Sequence, residues 1–96
     1  MVQRVDICPC CRRKARLTFH HLIPKQMHRR RFFRKTLTRD ERNEGIAICR
    51  QCHDGIHRFY SPMELAKSLN TLEKLLADEQ LAGYFHWVSK QRIRLD

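Results

Sequence analysis

Two cysteine pairs of identical spacing, Cys8-x-x-Cys11 and Cys49-x-x-Cys52, constrain this chain more than any other feature. Two residues between cysteines let a tight turn aim both sulfurs at one point about 2.3 Å away, and two such turns complete the tetrahedron that Zn²⁺ accepts. Four thiolates fill that sphere and leave no position for water or substrate, so the spacing predicts a structural zinc site. Cys10 stays outside the set, because only Cys8 with Cys11 reproduces the second pair's spacing. At 96 residues there is room for one domain. A domain of this size buries only about 60–65% of its unfolded surface, and a metal is a common source of extra stability. An odd count of five cysteines argues against a purely disulfide framework. The start, MVQRVDICPC, has no apolar run suited to a signal peptide, and no stretch approaches the roughly 18 apolar residues needed to cross a bilayer. The expectation is a cytoplasmic protein with reduced thiols and no membrane contact.

The 37 residues between the pairs, Arg12 to Ile48, exceed the roughly 12–20 of common zinc fingers and ribbons, so something is inserted there. The formal net charge of +10 lies within this insertion: the window from Arg12 to Arg42 holds twelve basic and two acidic residues, and the stretches on either side sum to zero. A basic block this concentrated is the footprint of a surface that faces phosphates. Its candidate nucleic-acid contacts are Lys25, Arg29, Arg30, Arg31, Arg34 and Lys35. Phe32 and Phe33 within it read chiefly as a small apolar anchor, with base-contacting wedges as the other reading.

Around this block the pattern is simple. Cys8 to Cys11 is a turn, and Ala15 to Phe19 alternates apolar with polar as a short strand. His20 and His21 follow at the strand's end, because Pro24 stops regular pairing. Lys25 to Arg42 shows no clear period, and Asn43-Glu44-Gly45 turns the chain into a second strand at Ile46–Ile48. Beyond Cys52, His53 and His57 fall four apart and share a face if the segment is helical. Ser61-Pro62-Met63-Glu64 is a capping box. Leucines at 65, 69, 72, 75 and 76, and then Leu81, Tyr84, Phe85 and Val88, recur at helical spacing, which predicts two or three short helices. Trp87 and the leucines read as a core that packs on the metal unit.

The four histidines carry the chemistry. If the four cysteines meet at one ion, the strand after the first pair and the helix after the second must be neighbours. One histidine of the 20/21 pair can then hold a divalent cation together with His53 and His57. Adjacent strand residues point to opposite faces, so the other is free to act as a general base near neutral pH. A metal that neutralises phosphate charge and stabilises the leaving oxygen, beside a base that activates water, suffices for phosphodiester hydrolysis. His28 and His86 read as packing residues.

These residues together resemble the HNH endonucleases, the ββα-metal nuclease family. The matching text is Cys8-x-x-Cys11, then Phe19-His20-His21-Leu22-Ile23-Pro24, then Ile46 through His57, and it covers about the first 60 residues. The resemblance implies a treble-clef-like core, His21 as the general base, His20 at the preceding metal-binding position, and His53 and His57 as ligands on the closing helix. It also implies metal-dependent cleavage of DNA. The asparagine of the family name falls between two residues: the usual register lands on Glu44, with Asn43 one residue earlier.

The expected protein is thus a single α+β domain over residues 1–96, with a zinc-stapled HNH core over 1–60 that contains the basic loop 25–42, and a helical extension over 61–96 that packs on it. It would act on DNA, double-stranded by preference, with one structural Zn²⁺ and one catalytic Mg²⁺, Mn²⁺, Ni²⁺ or Zn²⁺. Imidazole ligation leans away from Mg²⁺ as the sole choice. Two other readings use part of the same sequence: a non-catalytic zinc module that binds nucleic acid, and a degenerate nuclease serving as a subunit.

Overall fold

The computed structural model describes residues 4–92. Three antiparallel strands form one sheet in the order β1 (Val5–Ile7), β2 (Lys14–His21), β3 (Gly45–Cys49). The turn between β1 and β2 carries the first cysteine pair. It is closed by Cys8 N–H to the Arg13 carbonyl (2.9 Å) and Arg12 N–H to the Cys8 carbonyl (2.8 Å), with Arg12 in the left-handed region at φ 66°. β2 alternates buried and exposed positions over its first half, and it runs two residues past the predicted strand, so both histidines belong to it. β3 pairs with β2 from Leu17 opposite Cys49 to His21 opposite Gly45. Gly45 must be small, since a Cβ there would collide with the Phe19 ring and the His20 carbonyl.

β3 runs without a break into α3 (Arg50–Phe59), whose N-cap is Cys49: its sulfur accepts the Cys52 N–H at 3.4 Å. The second cysteine pair is therefore a strand-to-helix corner, and the helix face that follows presents His53 and His57.

The basic connection is more ordered than its lack of period suggests. It holds a 3₁₀ turn at Lys25–Met27, α1 (Arg31–Thr36) and α2 (Arg39–Arg42). α2 starts at a reciprocal cap, in which Thr38 Oγ1 accepts from Glu41 N–H (3.1 Å) and the Glu41 carboxylate accepts from Thr38 N–H (2.8 Å). Phe33 is buried with Ile23, Met27 and Ala66 in a small second core, which fixes α1 against the rest. Helix period is hidden here because α1 buries only Phe33 and α2 has no apolar residue at all.

The last third forms α4 (Pro62–Ser68), α5 (Leu72–Ala77) and α6 (Glu79–Ser89), capped by Ser61, Thr71 and Asp78. Leu65, Leu69, Leu75, Leu81, Phe85 and Val88 join Leu17, Ile48, Ile56 and the cysteines in the main core. Trp87 corrects the expectation for this region, because it stands 53% exposed. The buried stripe of α6 runs 81, 85, 88, and position 87 falls off it. α6 seats on α3 where the Tyr84 ring lies over Gly55 and the Tyr84 hydroxyl donates to the Gln51 carbonyl at 2.9 Å. Among the described residues no helix is long and apolar enough to cross a membrane.

Candidate metal centres

The sulfurs of Cys8, Cys11, Cys49 and Cys52 converge, all within 4.8 Å of one another and all buried, in an arrangement that can hold a metal ion such as zinc. Main-chain donors point at them, with Cys49 N–H on the Cys8 sulfur and Cys52 N–H on the Cys49 sulfur, both at 3.4 Å. Hydrogen bonds from neighbouring thiols, Cys10 first and then Cys49 and Cys52, hold Cys8 well below the usual thiol range. Cys49 is pushed up first by its contact with Cys52 and then by Cys8, Cys52 first by its contact with Cys10, and burial opposes charge on both. Four buried thiols in mutual contact can lose their protons together only with a cation beside them. Cys10 sits against the set without joining it. Contact with Cys52 favours its thiolate, but Cys8 and burial outweigh that and push it up to about 12.

A residue that the spacing did not single out completes this centre. Arg13 Nε donates to the Cys11 sulfur (3.3 Å), and Nη2 reaches the Cys49 sulfur (3.6 Å) and Gln51 Oε1 (2.7 Å). Nη1 donates to the Gln91 carbonyl at 2.9 Å. One guanidinium therefore offsets thiolate charge and ties the end of α6 to both cysteine turns.

The second cluster is His20, His53 and His57, with ligand nitrogens within 4.8 Å of one another. Ring centroids lie 5.1 Å (His20 to His53), 5.2 Å (His20 to His57) and 5.0 Å (His53 to His57) apart, close to an equilateral triangle. β2 supplies the first ring and one face of α3 the other two, as the shared cysteine centre requires. His20 is fully buried, and among the described residues neither of its ring nitrogens has a hydrogen-bond partner. An unpaired buried polar atom costs about 1–3 kcal/mol, so an orphaned imidazole facing two others is the signature expected of a ligand set. Burial, with the charges of His53, His57 and His21 after it, lowers His20 to about 3. Desolvation also lowers His53 and His57, and all three rings are held neutral, the form that binds metal. His20 lies at the bottom, His53 is half-buried and His57 is exposed at the rim. Three protein donors on an open rim leave coordination positions for water or substrate, unlike the closed sulfur set.

Thr18 also lay outside the sequence reading. Its hydroxyl donates to the Ile48 carbonyl (3.1 Å) and lies 3.0 Å from His53 Nδ1. A hydroxyl has one proton, so Nδ1 must be the donor in the second contact, which leaves the lone pair on Nε2.

His21 occupies the opposite face of β2, its ring edge-on to Phe19 at 4.7 Å, and is half-buried. Burial lowers its pKa, with His28 and Lys25 adding to the effect. His28, expected only to pack, donates from Nε2 to the Ile23 carbonyl at 2.7 Å and stands 5.7 Å from His21 between ring centroids. Asn43 and Glu44, the two positions between which the family's asparagine falls, both hold their side chains out in solvent. The Glu44 carbonyl instead accepts Leu22 N–H at 3.1 Å and closes the chain just after His21. The side chains of Lys25, Arg29, Arg30, Arg31, Arg34 and Lys35 are all exposed. Arg31, Arg34 and Lys35 converge on one shallow cleft.

A small α+β protein with a four-cysteine cluster that can hold a metal ion, and a cluster of three histidines beside it, is the class this fold defines. The chain belongs to the same family as Uncharacterized protein YisB of Bacillus subtilis (strain 168), with which it shares 36% identity over 96 residues, covering 93% of this chain and 79% of that one. No family model and no solved structure matches it.

Proposed function

We propose that this protein is a metal-dependent endonuclease of the HNH type that hydrolyses DNA phosphodiester bonds. The observation that carries the reading is the convergence of His20, His53 and His57 around an orphaned buried imidazole, with His21 next in the chain. In this reading the β1–β2 turn, β3 and α3 form the treble-clef-like ββα unit, and the four cysteines hold a structural zinc.

A divalent ion on the three histidines, when bound, would neutralise phosphate charge and stabilise the leaving oxygen. The chain's own residues do the rest. His21, neutral at pH 7, accepts a proton from the attacking water at a free ring nitrogen. Its desolvation keeps it unprotonated between turnovers. Thr18 sets the His53 tautomer, and the exposed cations of residues 25–35 draw the phosphate backbone toward the end of β2. A nucleic-acid module without catalysis would have no use for an unpaired His20 facing two more histidines.

Plasmid nicking decides the matter. The wild-type chain should convert supercoiled DNA to the nicked form in Mn²⁺, Ni²⁺, Zn²⁺ or Mg²⁺, and His21→Ala should abolish this while leaving DNA binding intact. Cleavage that survives His21→Ala, or none in any metal, would overturn the reading.

A further inference from the structure

The two phenylalanines in the basic block have separate fates. Phe33 is 3% exposed and buried in the small second core, whereas Phe32 is 59% exposed. Phe33 meets the Phe32 ring edge-on at 5.1 Å, which holds it in place. Phe32 borders a cleft of about 500 Å³ between α1 and α4, within the roughly 300–1,000 Å³ range of ligand clefts. A fixed aromatic ring exposed at the wall of a cleft offers a surface on which a flat partner can stack.

The surroundings identify that partner's chemistry. The Lys67 ammonium lies 6.0 Å from the Phe32 centroid. Arg31, Arg34 and Lys35 lie on the same helix, α1, where they line a separate cleft, and among the described residues no acidic one lines the Phe32 cleft. Asn70, also in the lining, accepts from Lys74 through Oδ1 at 3.1 Å, which leaves its amide hydrogens to meet a polar ring edge. A flat apolar body, hydrogen-bond acceptors at its edge and an attached anion describe a nucleotide whose base is out of the helical stack.

We propose that this cleft holds one unpaired nucleobase of a DNA strand, stacked on Phe32, with the flanking phosphate on Lys67 and the α1 arginines. The inference rests on the DNA-cleaving reading above and deepens it, making the substrate one with a gap, bulge or single-stranded segment beside the cut. The cleft is rigidly tied to the proposed base, because Ile23, two residues after His21, packs in the same core as Phe33 and Ala66. A paired duplex keeps its bases stacked on one another and could use only the phosphate contacts.

The test is fluorescence anisotropy of the full chain loaded with one equivalent of zinc for the cysteines, with no further divalent ion so that strands stay intact. Its probes are a 20-mer duplex, the same duplex with a three-nucleotide gap, and single-stranded DNA, the last two also prepared with 2-aminopurine at an unpaired position. Phe32→Ala should weaken binding to the gapped and single-stranded probes by about tenfold or more and to the duplex by less than about twofold. Phe32→Trp should retain binding and quench the 2-aminopurine. Equal effects on all three probes, or none, would overturn the unpaired-base site and leave the nuclease reading standing. Failure to bind any DNA would overturn both. If Phe32→Ala instead dissolved a dimer in sedimentation velocity, the cleft would be a contact between copies and the proposal would fall.

Discussion

Thr18 Oγ1 lies 3.0 Å from Nδ1 of His53 while its one proton is committed to the Ile48 carbonyl, 3.1 Å away. The pair fixes which nitrogen of His53 can act as a ligand, and such outer partners typically govern metal affinity by about 10–100-fold. Thr18→Val keeps the shape, removes the acceptor and should weaken Ni²⁺ or Zn²⁺ binding at the histidine set by that factor. Thr18→Ser should restore it. Titration calorimetry on zinc-loaded protein reads the difference, and equal affinities would mean that Thr18 serves only packing.

His20 sets a pH dependence of stability whose sign is fixed. Its folded pKa, about 3, lies below the ordinary 6.5, so the unfolded chain binds the extra proton and stability is lost as pH falls below 6.5. Between pH 7.5 and 5.5 this one group should cost about 1.4 kcal/mol. Urea unfolding with the sulfur site loaded and the histidine site empty should show that loss in the wild type. His20→Phe should remove it while His53 and His57, lowered in the same direction, still contribute theirs. Identical pH slopes would place His20's imidazole in contact with solvent.

These two relationships mark the boundary of what could be read from the residues alone. Spacing was enough for the sulfur cluster, since a two-residue gap written twice has few geometric solutions, and closing that cluster forces β2 against α3 and brings His20 to His53 and His57. Alternation located β2, and the Asn43-Glu44-Gly45 turn before three apolar residues located β3. The partners of the ligands were hidden, because Thr18 and Arg13 act through hydrogen bonds across 35 and 36 residues that no local pattern encodes. α1 and α2 were hidden by composition, as arginines mask a helix whose core contact is one phenylalanine. Trp87 was misplaced because a helix of this length tolerates an exposed aromatic one residue off its buried stripe.

Arg13 makes its contacts with geometry that a point charge cannot copy. Its guanidinium reaches two sulfurs, an amide and a main-chain carbonyl at once. Arg13→Ala should destabilise the fold by about 1–3 kcal/mol and speed zinc release to a chromogenic chelator. Arg13→Lys should recover only part of either effect. Zinc release unchanged in both variants would reduce the arginine to a surface residue.

Under the proposed function, the cations of α1 should appear in the salt dependence of DNA binding. Arg31, Arg34 and Lys35 fall at i, i+3 and i+4, are exposed, and make no ion pair among the described residues. Each phosphate contact contributes about −0.9 to the slope of log K against log salt. Replacing all three by alanine should flatten that slope by about 2–3 with no loss of thermal stability. A slope unchanged by the triple replacement would make α1 a solvated face.

Gly55 and Gly83 form a matched pair on the two helices of one interface. A Cβ at Gly55 would run into the Tyr84 ring, whose hydroxyl is already anchored to the Gln51 carbonyl, whereas a Cβ at Gly83 would meet nothing within 4 Å. Helix propensity favours alanine over glycine by about 0.8–1.0 kcal/mol at either place. At Gly83 that gain stands alone, so Gly83→Ala should raise the unfolding midpoint. At Gly55 overpacking costs about 1–3 kcal/mol, because the tyrosine cannot move without breaking its hydrogen bond, and Gly55→Ala should lower the midpoint. α3 also carries His53 and His57, so the displaced helix should bind metal at the histidine set more weakly as well. Paired thermal melts and metal titrations test this, and a Gly55→Ala protein as stable as wild type would show that α6 does not set the position of α3.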